Sequence, residues 1–136
     1  MSSEKFSIIS GKRKTAIAKL RIQPGTGKVF YNYLPFSELC LFHRLALSEP
    51  IKIYEREIGE FKYDIFIKTH GGGKEAQIQA ARLAIAKALV HTTGSVVLKK
   101  AYIRYDRNII VPDARRKEAA KPGDSAPRAK RQKSYR

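Results

Sequence analysis

Between residues 15 and 22 the chain alternates. Ala16, Ala18, Leu20 and Ile22 fall on one side, and Thr15, Ile17, Lys19 and Arg21 on the other. That is the period-two signature of a half-buried strand with a basic outer side. Pro24-Gly25-Thr26-Gly27 reads as a turn, and Lys28 to Tyr31 as the strand returning from it to close a hairpin. Leu34 to Leu47 is mixed helical; Pro35 with Ser37-Glu38 suits a helix start, and Pro50 is expected to limit its extent. Phe61 to Lys68 is the clearest strand, with Phe61, Tyr63, Ile65 and Ile67 sharing one face and Lys62, Asp64, Phe66 and Lys68 the other.

Gly71-Gly72-Gly73 then opens an uninterrupted helix-forming run from Lys74 to His91. Ile78, Ala81, Ile85 and Leu89 recur at helical spacing, and Leu83, Ala86 and Val90 widen the apolar arc. Its many alanines make the helix slim, suited to lying close on a sheet. Thr92-Thr93-Gly94 ends it, and Val96 to Tyr105 forms a further helix. Strands followed by a helix laid on them predict an α/β sandwich of two layers.

Charge changes this picture at the carboxyl end. Residues 114–136 carry nine cations against two acids, with Pro122, Pro127 and Gly123 and almost no aliphatic side chains. Such a segment cannot bury enough apolar surface to offset its ordering entropy, so an extended basic tail is expected to follow a domain of residues 1–113. The tail accounts for +7 of a formal net charge of +16, so the domain is basic as well. Its cations are uneven: Ser10 to Lys28 holds six and no acid, whereas Val29 to His70 has five against six acids. A polyanionic partner, nucleic acid first, follows from that distribution.

Other classes recede. Cys40 is the only cysteine, which excludes an internal disulfide and a cysteine-based zinc set. His43, His70 and His91 lack metal-ligand spacing, and no nucleophile–base arrangement or carboxylate pair points to catalysis. No apolar run approaches the roughly 20 residues of a membrane span, and Met1-Ser-Ser-Glu-Lys-Phe6 lacks the apolar stretch of a secretory signal. A cytoplasmic protein without cofactor is expected. The triglycine does not fit a phosphate-binding loop, which would need Gly at Lys68 and Ser or Thr at Glu75, and a dinucleotide fingerprint starting at Gly25-Thr26-Gly27 would need Gly or Ala at Phe30. A phosphotransferase would also want a metal-ligating carboxylate there, and only Glu75 is near.

Several positions keep two readings. The triglycine is either a phosphate cradle at the positive end of a helix or a flexible strand-to-helix turn. Lys12-Arg13-Lys14, expected at the start of the first strand, is either a solvated face or a phosphate contact. Arg82, within the apolar arc, either snorkels to the surface or meets RNA. Most tyrosines sit in core-like contexts; Tyr135 has no core to join, so base stacking or a phosphate hydrogen bond suits it better.

Four ordered motifs carry a resemblance. Gly11-Lys-Arg-Lys-Thr-Ala-Ile-Ala-Lys19, Gly71-Gly-Gly-Lys-Glu-Ala-Gln-Ile-Gln-Ala-Ala-Arg82 with Ala86-Lys-Ala-Leu89, Tyr105-Asp106-Arg107, and Arg128-Ala-Lys-Arg-Gln-Lys-Ser-Tyr-Arg136 resemble the universal family of small-subunit ribosomal protein nine. The resemblance implies a two-layer α/β sandwich with a left-handed βαβ crossover. It implies placement in the head of the small subunit, on the 3′ major domain of small-subunit rRNA and beside neighbouring ribosomal proteins. Carried over by position, rRNA contact falls to Lys12, Arg13, Lys14, Lys19 and Arg21; to Gly71, Gly72, Gly73, Lys74, Gln77 and Arg82; and to Arg104, Arg107, Arg115, Arg116, Lys117, Arg128 and Lys130. The tail's end implies approach to the anticodon stem-loop of P-site tRNA by Arg131, Lys133, Tyr135 and Arg136. Bacterial-type members end in Ser-Lys-Arg. The ending Lys133-Ser134-Tyr135-Arg136 looks like the archaeal and eukaryotic cytosolic branch, and the short N-terminus looks archaeal. Only Gln77 persists of the bacterial Gly-x-x-Gly-Gln element, so the local rRNA contact there is expected to differ in detail.

Overall fold

The first strand begins earlier than the alternation suggests. β1 (Ser7–Arg13) pairs antiparallel with β2 (Ala16–Pro24) from Ser7 opposite Ile22 to Arg13 opposite Ala16. Lys12 and Arg13 therefore end one strand instead of starting the next, and Lys14 with Thr15 forms the turn. Lys14 takes φ 51°, a left-handed conformation that non-glycine residues visit rarely. The computed structural model describes residues 6–123 and 126–129.

The remaining elements are β3 (Val29–Tyr31), β4 (Leu34–Pro35), a 3-10 turn (Phe36–Glu38), α1 (Leu41–Glu57), β5 (Tyr63–His70), α2 (Lys74–Thr93), α3 (Val96–Tyr105) and a second 3-10 turn (Arg107–Ile109). The five-stranded sheet runs β1-β2-β5-β3-β4. All helices lie on one face, which gives the expected two layers.

The expected hairpin between β2 and β3 does not form. β5 takes the place beside β2, antiparallel, and β3 pairs parallel with the far edge of β5, with Val29 opposite Ile65 and Tyr31 opposite Ile67. β3 reaches β5 through α1, so these elements make the βαβ unit. The connecting turn folds over the start of β5. The Asp64 carboxylate accepts from the backbone N–H groups of Thr26 (2.9 Å) and Lys28 (3.0 Å), and Gly25 N–H donates to Lys62 O at 3.0 Å. Those N–H groups hold the Asp64 carboxyl below its ordinary pKa, Lys28 contributing most. A three-residue strand offers β2 little, whereas eight-residue β5 sets Ile65 and Ile67 opposite Ile22 and Leu20 on the buried side.

α1 also departs from expectation at both ends. Asn32 (φ 47°) and Tyr33 (φ 69°) form a tight turn that returns Leu34–Pro35 as β4, so the helix starts at Leu41. Pro50 does not limit it: the helix runs on to Glu57 with Pro50 buried inside. Proline there removes one helical N–H bond, but packing against α2 and α3 holds the helix together. Tyr102 Oη donates to the Pro50 carbonyl at 2.7 Å, which satisfies a buried hydroxyl and cross-links α3 to α1.

α2 occupies the centre. Ile78, Ala81, Ile85 and Leu89 are buried as expected, and so are Ala80, Leu83, Ala84, Ala86 and Ala88. The sheet lies on one side of it and α1 and α3 on the other, so it is apolar nearly all round. Its alanines permit close approach: a Cβ built on Gly11 would stand 2.1 Å from Ala80 O and 2.8 Å from Ala84 N. Gly94 (φ 62°) caps its carboxyl end, and the Ser95 side chain accepts from Leu98 N–H to start α3. Ile109 closes the core and ends the last regular element among the described residues.

Candidate nucleic-acid interface

Three basic motifs far apart in sequence meet at one end of the molecule. The tip of the β1–β2 hairpin presents exposed Lys12 and Lys14. Against it lies the triglycine: a Cβ on Gly71 would be 2.7 Å from Thr15 O, and one on Gly72 3.0 Å from Ala16 N. Both glycines have positive φ, 73° and 63°, so conformation and contact alike require them. Gly73 has open space about it and caps α2, with exposed Lys74 beginning the helix. The first N–H groups of α2 have no intrahelical partner and carry the positive end of its dipole.

This turn is braced. Gln77 Nε2 donates to Gly71 O at 3.0 Å, and Gln77 Oε1 accepts from the Thr69 hydroxyl at 3.2 Å. Asn32 bonds both the N–H and the hydroxyl of Thr69, each at 2.9 Å. Gln77, expected to contact RNA, uses its amide to shape the loop.

The root of the tail is the third component. Arg13 Nη1 donates to Asp113 Oδ2, binding the end of β1 to the residue from which the tail departs. Arg115 holds the same carboxylate through its guanidinium (2.7 Å, Nη2 to Oδ2) and its backbone N–H (2.9 Å). The Arg115 side chain foremost, then its N–H and Arg13, hold the Asp113 carboxyl well below the usual carboxylate range, and the Arg115 guanidinium is raised in turn. Arg116 and Lys117 follow, exposed.

Arg82 neither snorkels nor faces outward. Its side chain is 19% exposed, with Nε 2.6 Å from Glu49 Oε2 and Nη2 3.5 Å from Asp106 Oδ2. The Nε contact is an ion pair without hydrogen-bond alignment. Arg82 thus joins α2 to α1 and to the end of α3. Arg128 pairs with Glu118 at 3.0 Å in an exposed bridge of small energetic weight.

The other expected residues are dispersed. Lys19 and Arg21 lie on the sheet face away from the helices, and Arg21 sits 4.3 Å over the Phe6 ring. Arg104 lines a groove between α1 and α3 with Arg56 and Lys100, and Arg107 is exposed in the second 3-10 turn. Lys130, Arg131, Lys133, Tyr135 and Arg136 lie outside the described residues. Sequence reading missed Lys68, which stands directly across from Lys19 in the β2–β5 register with Nζ 4.9 Å over the Tyr33 ring. The signal was present in the outward alternation Asp64, Phe66, Lys68.

Among the described residues no group of three or more His, Cys, Asp or Glu side chains is arranged to hold a metal. No helix among them is long and apolar enough to cross a membrane. What the geometry offers is a cationic end built from exposed lysines, backbone donors and a tethered arm.

Comparison with known proteins agrees in kind. Residues 11–136 match the model of the family described as ribosomal protein S9/S16. The chain is 41% identical over 129 residues to small ribosomal subunit protein uS9 of Methanococcus vannielii, covering 93% of this chain and 95% of that relative. It is 42% identical, with the same coverage, to the proteins of that name from Methanococcus maripaludis strains C5 and C7. With its glycine-bearing basic hairpin, its triglycine helix start and its cationic carboxyl end all inside the matched region, the chain belongs to the ribosomal protein S9/S16 family.

Proposed function

We propose that the chain grips small-subunit rRNA with its cationic end and sends residues 114–136 along the RNA toward P-site tRNA. Kinship supports the coarser part: it is a structural, non-enzymatic constituent of the small ribosomal subunit, acting in translation with rRNA and other ribosomal proteins. The finer part rests on one observation, the meeting of the Lys12–Lys14 hairpin tip, the Gly71–Lys74 helix start and the Arg13–Asp113 tail root. Lysine ammoniums and helix N–H groups are the donors that phosphate oxygens accept from. Arg13, Gln77 and Arg82 act by holding that end in shape, through Asp113, Gly71 and Glu49.

Beyond Asp113 the segment works as an arm. Its 23 residues, fully extended at roughly 3.3 Å each, reach about 75 Å. The arm neutralises phosphates along its path in the subunit head, with Lys130 and Arg128 on rRNA and Arg131, Lys133, Tyr135 and Arg136 nearest the tRNA. The test is sedimentation: the full chain should stay with small subunits through a high-salt wash. Release into the supernatant at salt concentrations that retain the other head proteins would refute the reading.

A further inference from the structure

The sheet face opposite the helices carries side chains that the cationic end does not use. Phe30 and Phe66, opposite each other in the β3–β5 register, lie with ring centroids 5.2 Å apart and planes 3° from parallel. Tyr33 is 79% exposed beside them, under Lys68. With Ile8, Lys19 and Arg21 these rings line a shallow groove across the sheet. Lys19 faces Lys68 directly across the strands, and like charges so placed destabilise a sheet unless an anion lies between them. Among the described strand residues, Asp64 is the one carboxylate on this face, and its Oδ1 accepts from the N–H groups of Thr26 and Lys28.

Exposed ring faces interleaved with unneutralised cations match one ligand chemistry closely. Unpaired nucleotides supply flat bases for the rings and phosphates for the ammonium and guanidinium groups. An acidic apolar peptide would answer the charge but has no use for parallel ring faces.

We propose that this open face is a stacking platform for unpaired RNA nucleotides, with Phe66 and Tyr33 receiving bases and Lys19, Arg21 and Lys68 the intervening phosphates. The proposal rests on the rRNA-binding reading and adds to it a second contact surface, read through bases.

The experiment compares two single-stranded octamers of equal charge, octauridylate and its abasic counterpart, binding to the full chain. The tail's cations attract both alike, so their affinity ratio isolates the bases, and the sheet variants separate the platform from stacking on Tyr135. The wild-type chain should prefer octauridylate by roughly 5- to 150-fold. Tyr33→Ala, at an exposed position, and Phe66→Leu, which keeps apolar bulk but loses the ring, should each bring the ratio toward one. Circular dichroism melts serve to verify that both variants fold. An absent preference in the wild-type chain overturns the platform, as does one that Phe66→Leu preserves, the result expected of a protein-docking patch. Either result, with sedimentation on small subunits intact, leaves the rRNA-binding reading standing. Loss of that sedimentation is the separate failure.

Discussion

Arg13 and Asp113, one hundred positions apart in sequence, are joined by a hydrogen bond that sets where the arm leaves the domain. The bond sits at the hairpin tip, so the arm and the tip present their cations from one end. Replacing Asp113 with alanine should free the arm's root while leaving the core intact. Trypsin should then cut after Arg115 or Arg116 several-fold faster, with the melting temperature nearly unchanged, as for most substitutions near the surface. Equal cleavage rates would show that the clamp does not order the root.

The same pair predicts a pH dependence. The folded-state pKa of Asp113 lies below its unfolded value of about 3.9. The clamp's stabilisation is therefore complete above that value and is lost as pH falls through the lower, folded pKa. Protection of the Arg115 amide from hydrogen exchange, referenced to a core amide, should hold at pH 5 and decline only under strongly acidic conditions. A decline centred near pH 6 would implicate a different group.

Lys12 and Lys14 are exposed and without carboxylate partners among the described residues, whereas Arg13 is engaged. Changing both lysines to alanine should reduce the magnitude of the log–log salt slope of rRNA binding by roughly one for each phosphate left unneutralised. Changing both to glutamate should block incorporation into subunits, and normal incorporation would show that they are merely solvated. The double change deliberately omits Arg13, whose loss would also release the arm.

Gly11→Ala should destabilise the fold, because the added methyl would meet the α2 backbone at Ala80. Overpacking of this kind costs about 1–3 kcal/mol, readable as a lower urea midpoint. Tyr102→Phe should cost about 0.5–1.5 kcal/mol, by removing the hydrogen bond that ties α3 to α1 while the Pro50 carbonyl keeps its helical partner. Midpoints within error of wild type would mean that the helices shift freely over the sheet.

Deleting residues 128–136 should leave the domain folded and assembled but weaken retention of P-site tRNA. Filter binding of tRNA to subunits carrying the truncated chain measures this directly, and unchanged retention would remove the tail from decoding. For the intact chain, about six to nine phosphate contacts correspond to a salt slope of very roughly −4 to −8.

Much of the fold was legible because its periods are clean. Leu20 and Ile22 alternate, Ile65 and Ile67 alternate, and Ile78 to Leu89 repeats at helical spacing; these are the buried positions. β1 escaped notice because its inward residues are Ser7, Ile9, Gly11 and Arg13, of which one is a large aliphatic. The partner of β3 was misread because three residues carry no register information, while the deciding contact, Asp64 to Thr26 and Lys28, spans 36 to 38 positions. Pro50 was read by its local cost, which packing overrides. Cations were easy to find but not to sort. Which of them already has an acid beside it is a tertiary fact, visible for Arg13 and Arg82 only once Asp113 and Glu49 arrive.

The order β1-β2-β5-β3-β4 leaves two outer strands. One is only two residues long and contains Pro35; the other ends in Lys12 and Arg13. Brevity, proline and repelling charge all discourage a second copy from adding itself as another strand. Newly made chains awaiting assembly are thereby guarded against clumping into fibrils, even though half the sheet lies bare.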